Sequence, residues 1–151
     1  EKDIAEFRRN NLGFVFQEYH LIPELTAIEN VMFPLLLNKV SKMKARKEAK
    51  ALLEYVGIEE GYNKLPEEFS GGQRQRIAVA RALITKPAII LADEPTGALD
   101  QSTGQEVINI LRETNNQGKT VVLVTHDINI ASSTNRIINI CDGKIISDEM
   151  V

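Results

Sequence analysis

A chain of 151 residues fits one domain and is long enough to bury a core without disulfides or metals. Its 18 basic and 21 acidic side chains leave a formal charge of −3, so no global field draws it to nucleic acid or anionic lipid. The single cysteine, Cys141, excludes an internal disulfide and suits a reducing compartment, and it reads equally well as a small strand residue.

The chain opens at Glu1, without a methionine, in what reads as the end of a helix over 3–9, so the expectation is that it starts partway through a longer protein. Gly13 to Phe16 reads as a short buried strand, and 17–23 as an irregular segment. Thr26 is placed to cap a helix with Glu29 at the capping-box position, and Ile28, Val31, Met32, Leu35 and Leu36 follow at helical spacing. Pro34 inside that pattern is expected to kink or shorten the helix. The run Val31 to Leu37 is the longest apolar stretch, at seven residues against the roughly 20 that span a bilayer.

A second helix is expected over 41–56, with Ala45, Ala49, Leu52, Leu53 and Val56 inward and Gly57 ending it. Lys42, Lys44, Arg46, Lys47 and Lys50 form either a docking patch or, the preferred reading, a solvated face. Ser70-Gly71-Gly72 precedes a third helix with Ile77, Ala80, Leu83 and Ile84 on its face, stopped at Lys86-Pro87. Ala88 to Ala92 is a continuous apolar run ending in Asp93-Glu94, as expected for a fully buried parallel strand. A helix over 102–114 directs Val107, Ile108 and Leu111 inward, and Gly118-Lys119 leads into a second buried run, Thr120 to Val124, which ends in Thr125-His126-Asp127. A short helix and an antiparallel hairpin over 136–146, turning at Asp142-Gly143, complete the chain. Alternating strands and helices with polar residues at strand ends define an α/β fold, in which ligands sit beyond the carboxyl ends of the strands. Gln17, Asp93, Glu94 and His126 are thereby placed on one edge of the sheet.

Each of these groups admits two readings. Asp93 and Glu94 can hold a Mg²⁺ ion and polarise a water, or form an ordinary solvated turn. Ser70-Gly71-Gly72-Gln73 can bring backbone N–H groups and a helix N-terminus to a phosphate, or simply cap a helix. His126 can donate to a terminal phosphate or serve structure, and Gln17 can offer its amide oxygen to a metal or water.

Order and spacing decide between them. Gln17, then Phe69-Ser70-Gly71-Gly72-Gln73-Arg74-Gln75-Arg76, Ile89 to Thr96 with Asp93-Glu94, Ala98-Leu99-Asp100, and Thr125-His126-Asp127 follow one another along essentially the whole chain. The series resembles the Q-loop, signature, Walker B, D-loop and H-loop of the ABC transporter ATPases, in that family's order. The resemblance implies the later part of a P-loop NTPase core with its helical subdomain over about 24–86, and 1–23 and 87–151 as the remainder of the nucleotide-binding core. It implies ATP and Mg²⁺ as ligands, with Asp93 on the metal and Glu94 as general base. His126 would contact the γ-phosphate, and Gln17 would sense metal and water. Ser70, Gly71, Gly72 and Gln73 would face an ATP held by a second subunit in a head-to-tail dimer, with Asp100 on the seam. Phe69 stands where the family usually has leucine. Pro95 to Asp100 and the segment Glu29 to Leu36 look most like the branch serving lipoprotein release, macrolide efflux and antimicrobial-peptide resistance.

No Gly-x-x-x-x-Gly-Lys-Ser/Thr occurs in these 151 residues, and only 16 residues precede Gln17. The expectation is therefore a truncated chain, without the P-loop and the β part that the family carries upstream, that binds MgATP poorly and does not turn it over alone. Apolar surface around Ile89 to Leu91 and Val121 to Val124 would then favour a non-native dimer. The implied partners are a second ATPase subunit and a transmembrane permease, with no nucleic acid. The implied location is cytoplasmic, on the inner face of the membrane. Tyr19, Leu21, Ile22, Phe33 and Leu37 line either a groove for the permease or the packing of the helical subdomain. The alternatives are an ABC ATPase that does not transport, and a dimerisation module without catalysis.

Overall fold

The computed structural model describes residues 2–151, with side chains from Ile4 onward. Helix α1 (Lys2–Asn11) leads directly into strand β1 (Leu12–Phe16). After an irregular segment come α2 (Ala27–Leu37), α3 (Lys42–Tyr55), a 3-10 turn (Pro66–Glu68) and α4 (Gly71–Leu83). Strand β2 (Ile89–Asp93), α5 (Gln101–Asn116), β3 (Thr120–Val124), a single helical turn α6 (Ile128–Ala131) and the hairpin β4 (Arg136–Cys141) and β5 (Lys144–Met150) follow.

The helix boundaries have local causes. Thr26 and Glu29 form the expected capping box at α2, with the Thr26 backbone N–H donating to Glu29 Oε2 at 2.9 Å. Helix α3 starts at the Ser41 cap and closes at Gly57, whose φ of +77° only glycine adopts without strain. There Ile58 N donates to Leu53 O at 2.8 Å and Gly57 N to Glu54 O at 3.0 Å, the paired bonds of a Schellman ending. Pro34 does not end α2. The helix runs one turn further, and the proline's own carbonyl still accepts from Asn38 N at 3.2 Å.

Two apolar clusters result, and α4 is shared between them. One gathers Ile28, Val31 and Met32 of α2, Leu53 of α3 and its cap residue Val56 against Ile77 and Ala80 of α4 and its cap residue Ile84. The other packs Val79 and Ala82 of α4 onto Val15, Ile90 and Ala92 of the sheet, with Val107 and Leu111 of α5. A helix buried along two stripes explains why Leu83, expected beside Ile77 and Ala80, instead lies partly buried against the sheet cluster. Leu36, expected inward on α2, is exposed with its neighbours Phe33 and Leu37, because the inward stripe of α2 is carried by Ile28, Val31, Met32 and Leu35.

Strands β1, β2 and β3 form a parallel sheet in that order, with Phe16 beside Asp93 and Asp93 beside Val124. All three carboxyl ends therefore reach one edge together. The expected full burial of the strands is only half met. Ile90 and Ala92 of β2 are buried, whereas Ile89 and Leu91 are intermediate, and in β3 Val122 and Val124 are 45% and 55% exposed. The helices α4 and α5 cover one face of the sheet, so alternate residues meet a core and their neighbours face the opposite, open side. The hairpin β4–β5 turns at Asp142 and Gly143, with φ of +48° and +73°, the left-handed pair of a tight two-residue turn.

Candidate functional site

At the carboxyl edge of the sheet, the residue after each strand carries a polar side chain: Gln17 after β1, Glu94 after β2, and Thr125 then His126 after β3. Asp93, the last residue of β2, sits in register between Phe16 and Val124. The sheet thus converts a sequence separation of more than a hundred residues between Gln17 and His126 into neighbouring strand ends.

Glu94 is the hub. It takes a left-handed backbone, φ +45°, which a non-glycine residue adopts only when its surroundings hold it there. Its N–H donates to Val124 O at 2.9 Å and its carbonyl accepts from Gly97 N at 3.0 Å, so the turn is tied to both β3 and the loop beyond. The carboxylate accepts from the His126 backbone N–H at 2.9 Å and lies 2.7 Å from His126 Nδ1, both through Oε1. Oε2 is left with a long 3.4 Å contact from Thr125 Oγ1. The side chain of Glu94 is only 22% exposed, whereas that of His126 is 86% exposed. One oxygen is therefore held in place while the other keeps lone pairs for a water.

Gln17 is exposed and leans over the same turn: a Cβ added at Gly97 would lie 2.8 Å from its Nε2. Gly97 is the residue that lets this amide approach the backbone. Asp93 is exposed. A carboxylate and an amide oxygen on adjacent strand ends are hard oxygen donors, the kind Mg²⁺ takes one or two of while keeping water and phosphate for the rest. Among the described residues no group of three or more His, Cys, Asp or Glu side chains is placed to hold a metal ion.

The Ser70-Gly71-Gly72-Gln73 stretch lies at the start of α4, apart from that cluster. Ser70 Oγ accepts from Gln73 N at 3.3 Å and Gln73 Oε1 accepts from Ser70 N at 3.0 Å, a capping box. Gly72 is buried, and a Cβ there would lie 1.9 Å from Thr103 Cγ2 of α5, so glycine is required by helix packing. Thr103 in turn donates through Oγ1 to Asp100 Oδ2 at 2.7 Å, and Asp100 caps α5 by accepting from Thr103 N at 3.0 Å. These bonds, with one from Ser102 Oγ at 2.6 Å, hold the Asp100 carboxyl well below the usual carboxylate range. The structure thus makes one group of Gly72, Thr103 and Asp100 and another of Gln17, Asp93, Glu94 and His126.

Sequence reasoning missed Gln75 and Arg81. Gln75 is fully buried, and Arg81 donates to the backbone carbonyls of Tyr19, at 3.0 Å, and His20. The available signal was a glutamine on the stripe of α4 that also carries Gly72, Val79 and Ala82.

Comparison with known proteins gives the class. The family model described as ABC transporter matches residues 1–97, and the chain belongs to that family. It is 51% identical over 146 residues to the macrolide export ATP-binding/permease protein MacB of Escherichia coli, covering 97% of this chain and 23% of that protein. It is 44% identical over 146 residues to the uncharacterized ABC transporter ATP-binding protein YvrO of Bacillus subtilis, covering 64% of it. The chain thus spans about a quarter of the MacB relative and under two thirds of YvrO. Among solved structures, the ATP-binding cassette MJ0796 in a dimeric post-hydrolysis state, bound to ADP and Pi, superposes with a TM-score of 0.87 at 45% identity, over 99% of this chain and 67% of that one. The fold is accordingly that of an ABC ATPase cassette, covered in part.

Proposed function

We propose that these residues are the ATP-hydrolysing machinery of an ABC transporter. The observation that carries this reading is the Glu94 carboxylate, held in a left-handed turn with one oxygen anchored by His126 and the other free toward the strand-end edge. In this reading Glu94 Oε2 takes the proton of the attacking water while His126, exposed beside it, offers its other ring nitrogen to the γ-phosphate. Asp93 and Gln17 would hold Mg²⁺, which when bound neutralises phosphate charge. Gln17 orients the water from its seat over Gly97.

Ser70, exposed at the N-cap of α4, and Gly71, Gly72 and Gln73 after it would meet the nucleotide of a second subunit, with Asp100 on the seam. The dimeric MJ0796 cassette and the ATP-binding/permease name of MacB support a second ATPase subunit and a membrane permease as partners. Among the described residues no helix is long and apolar enough to cross a membrane. The proposed seat is peripheral, on the cytoplasmic face, beside a transmembrane permease. Residues 24–86 act in this scheme as the helical subdomain that passes motion to the permease, and macrolide export is the first transport activity to assay. The 151 residues alone hold MgATP weakly, since the phosphate-gripping loop is not among them, and the open faces of β3 and of the β4–β5 hairpin favour self-association.

Calorimetry with MgATP, with phosphate release followed on the same sample, tests the reading. The expected result is no binding up to millimolar nucleotide for this chain, and binding with turnover that Glu94→Gln abolishes once a phosphate-binding loop from a relative is joined upstream. Turnover that survives Glu94→Gln would sink the assignment of the base.

A further inference from the structure

Gln75 is a long polar side chain with no exposed surface, and its surroundings explain why it is there. Its Nε2 donates to Phe16 O at 3.1 Å and to Pro95 O at 2.6 Å. Phe16 immediately precedes Gln17, and Pro95 immediately follows Glu94. Both partners are carbonyls, so the amide can point only one way, with its two hydrogens toward the sheet edge. The other end of the amide, Oε1, has no hydrogen-bond partner among the described residues. The two donated bonds, to carbonyls of two separate segments, are what a glutamine supplies here and an apolar side chain of the same volume does not.

The base from which Gln75 reaches is rigid. Helix α4 lies so close to β1 that a Cβ at Gly13 would fall 2.5 Å from Ala82 O. The same helix holds the segment after β1 at further points: Arg81 donates to the Tyr19 and His20 carbonyls, and Arg74 stacks over the Tyr19 ring at 5.1 Å. Tyr19 and His20 both have positive φ, +63° and +47°, conformations that need such restraint. From the other side Glu94, also at positive φ, is followed by the one carbonyl to which Gln75 makes its shortest bond.

We infer that Gln75 is a positioning residue: a single buried amide on α4 that sets the separation of Gln17 and Glu94 by gripping the backbone carbonyl next to each. Its side chain is fully buried, and its donors reach only backbone carbonyls. Because α4 begins with the Ser70-Gly71-Gly72 stretch, the clamp also makes the geometry of the hydrolytic pair depend on how that helix is seated. The inference rests on the assignment of Gln17 and Glu94 made above.

The test has two arms, and the first needs no nucleotide. In Gln75→Met, which keeps the volume and removes both donors, amide hydrogen exchange of the 151-residue chain is expected to rise about tenfold or more at Tyr19, Glu94 and Gly97, while α3 amides keep their protection. Unchanged exchange at those three amides, or a uniform rise across the chain, overturns the clamp. In the second arm the chain completed with a phosphate-binding loop is assayed for turnover: Gln75→Met lowers kcat by roughly a hundredfold at unchanged KM for ATP, the scale expected for small misplacement of reacting groups. A raised KM with kcat retained would place Gln75 in nucleotide binding and overturn the inference. Should Gln75→Met fail to fold, Gln75→Asn, which keeps the buried amide on a shorter stem, is read in the same two assays with the same criteria. If instead Glu94→Gln and Gln17→Ala leave turnover intact, the functional reading fails while the exchange arm still reports on the clamp.

Discussion

The helical region built from α2, α3 and α4 and the C-terminal region from β3 to β5 are made on different terms. In the first, each helix carries its own cap, its inward stripe is almost wholly buried, and the buried amide of Asn30 is satisfied. Asn30, with no exposed surface, accepts from Ile22 N at 2.7 Å and donates to Ile22 O at 3.0 Å and Leu25 O at 2.8 Å. In the second, Ile138, Ile140, Ile145 and Ile146 are all exposed, as are Val122 and Val124, although every strand pairs correctly. Every strand of the second region has a partner, but the apolar side chains of its strands stay largely uncovered, whereas the inward stripes of the helical region are closed. Helices closing on each other cover their own stripes, whereas a sheet has two faces and needs a layer against each. The local code for a strand, apolar residues of high β propensity, specifies pairing and not what will lie on top.

Four measurements would break or sharpen that contrast. Leu53→Ala removes a fully buried side chain from the centre of the helical cluster and is expected to cost about 3 kcal/mol in urea unfolding, with the cavity adding to lost burial. A loss below about 1 kcal/mol would mean that the cluster repacks and is not closed as described. Gly72→Ala is next, at about 2 kcal/mol, because the added methyl meets Thr103 Cγ2 and the threonine cannot rotate away without breaking its bond to Asp100. Thr103→Ser, which deletes that methyl and keeps the hydroxyl, should restore part of the loss. An undiminished penalty in the double variant would show that the clash lies elsewhere.

Asp100 tests the join between the two regions through pH. Its folded pKa is depressed, chiefly by the hydroxyls of Ser102 and Thr103, so the folded state binds the proton less readily than the unfolded chain. The stabilisation is therefore fully present above the ordinary aspartate value near 3.8 and fades as the pH falls toward the folded value. Asp100→Asn keeps an N-cap that does not titrate and should flatten the acid limb of the stability curve; an unchanged limb would assign it to other carboxylates. The smallest effect is expected at the hairpin, where Ile140→Ser should change stability by no more than about 0.5 kcal/mol. It should also reduce self-association in sedimentation experiments. A large destabilisation there would mean that the hairpin is packed in solution and that the contrast does not hold.

Much of this molecule follows from local rules that act within a few residues. The Thr26 capping box, the Gly57 ending of α3, the Asp142-Gly143 turn and the order of strands and helices were all legible in the chain, because each depends on side chains that meet within one turn of backbone. The gathering of Gln17, Asp93, Glu94 and His126 was legible too, since parallel strands must bring their carboxyl ends to one edge. What only the tertiary structure decided is how those groups are held. The anchoring of Glu94 by His126, the seat of Gln17 over Gly97 and the reach of Gln75 to two carbonyls join residues from 20 to 80 positions apart in pairs that no spacing rule specifies. Whether a polar side chain on an apolar stripe is an error, a surface residue or a clamp depends on which backbone groups the rest of the fold leaves without partners. Those groups exist only once the helices have docked onto the sheet.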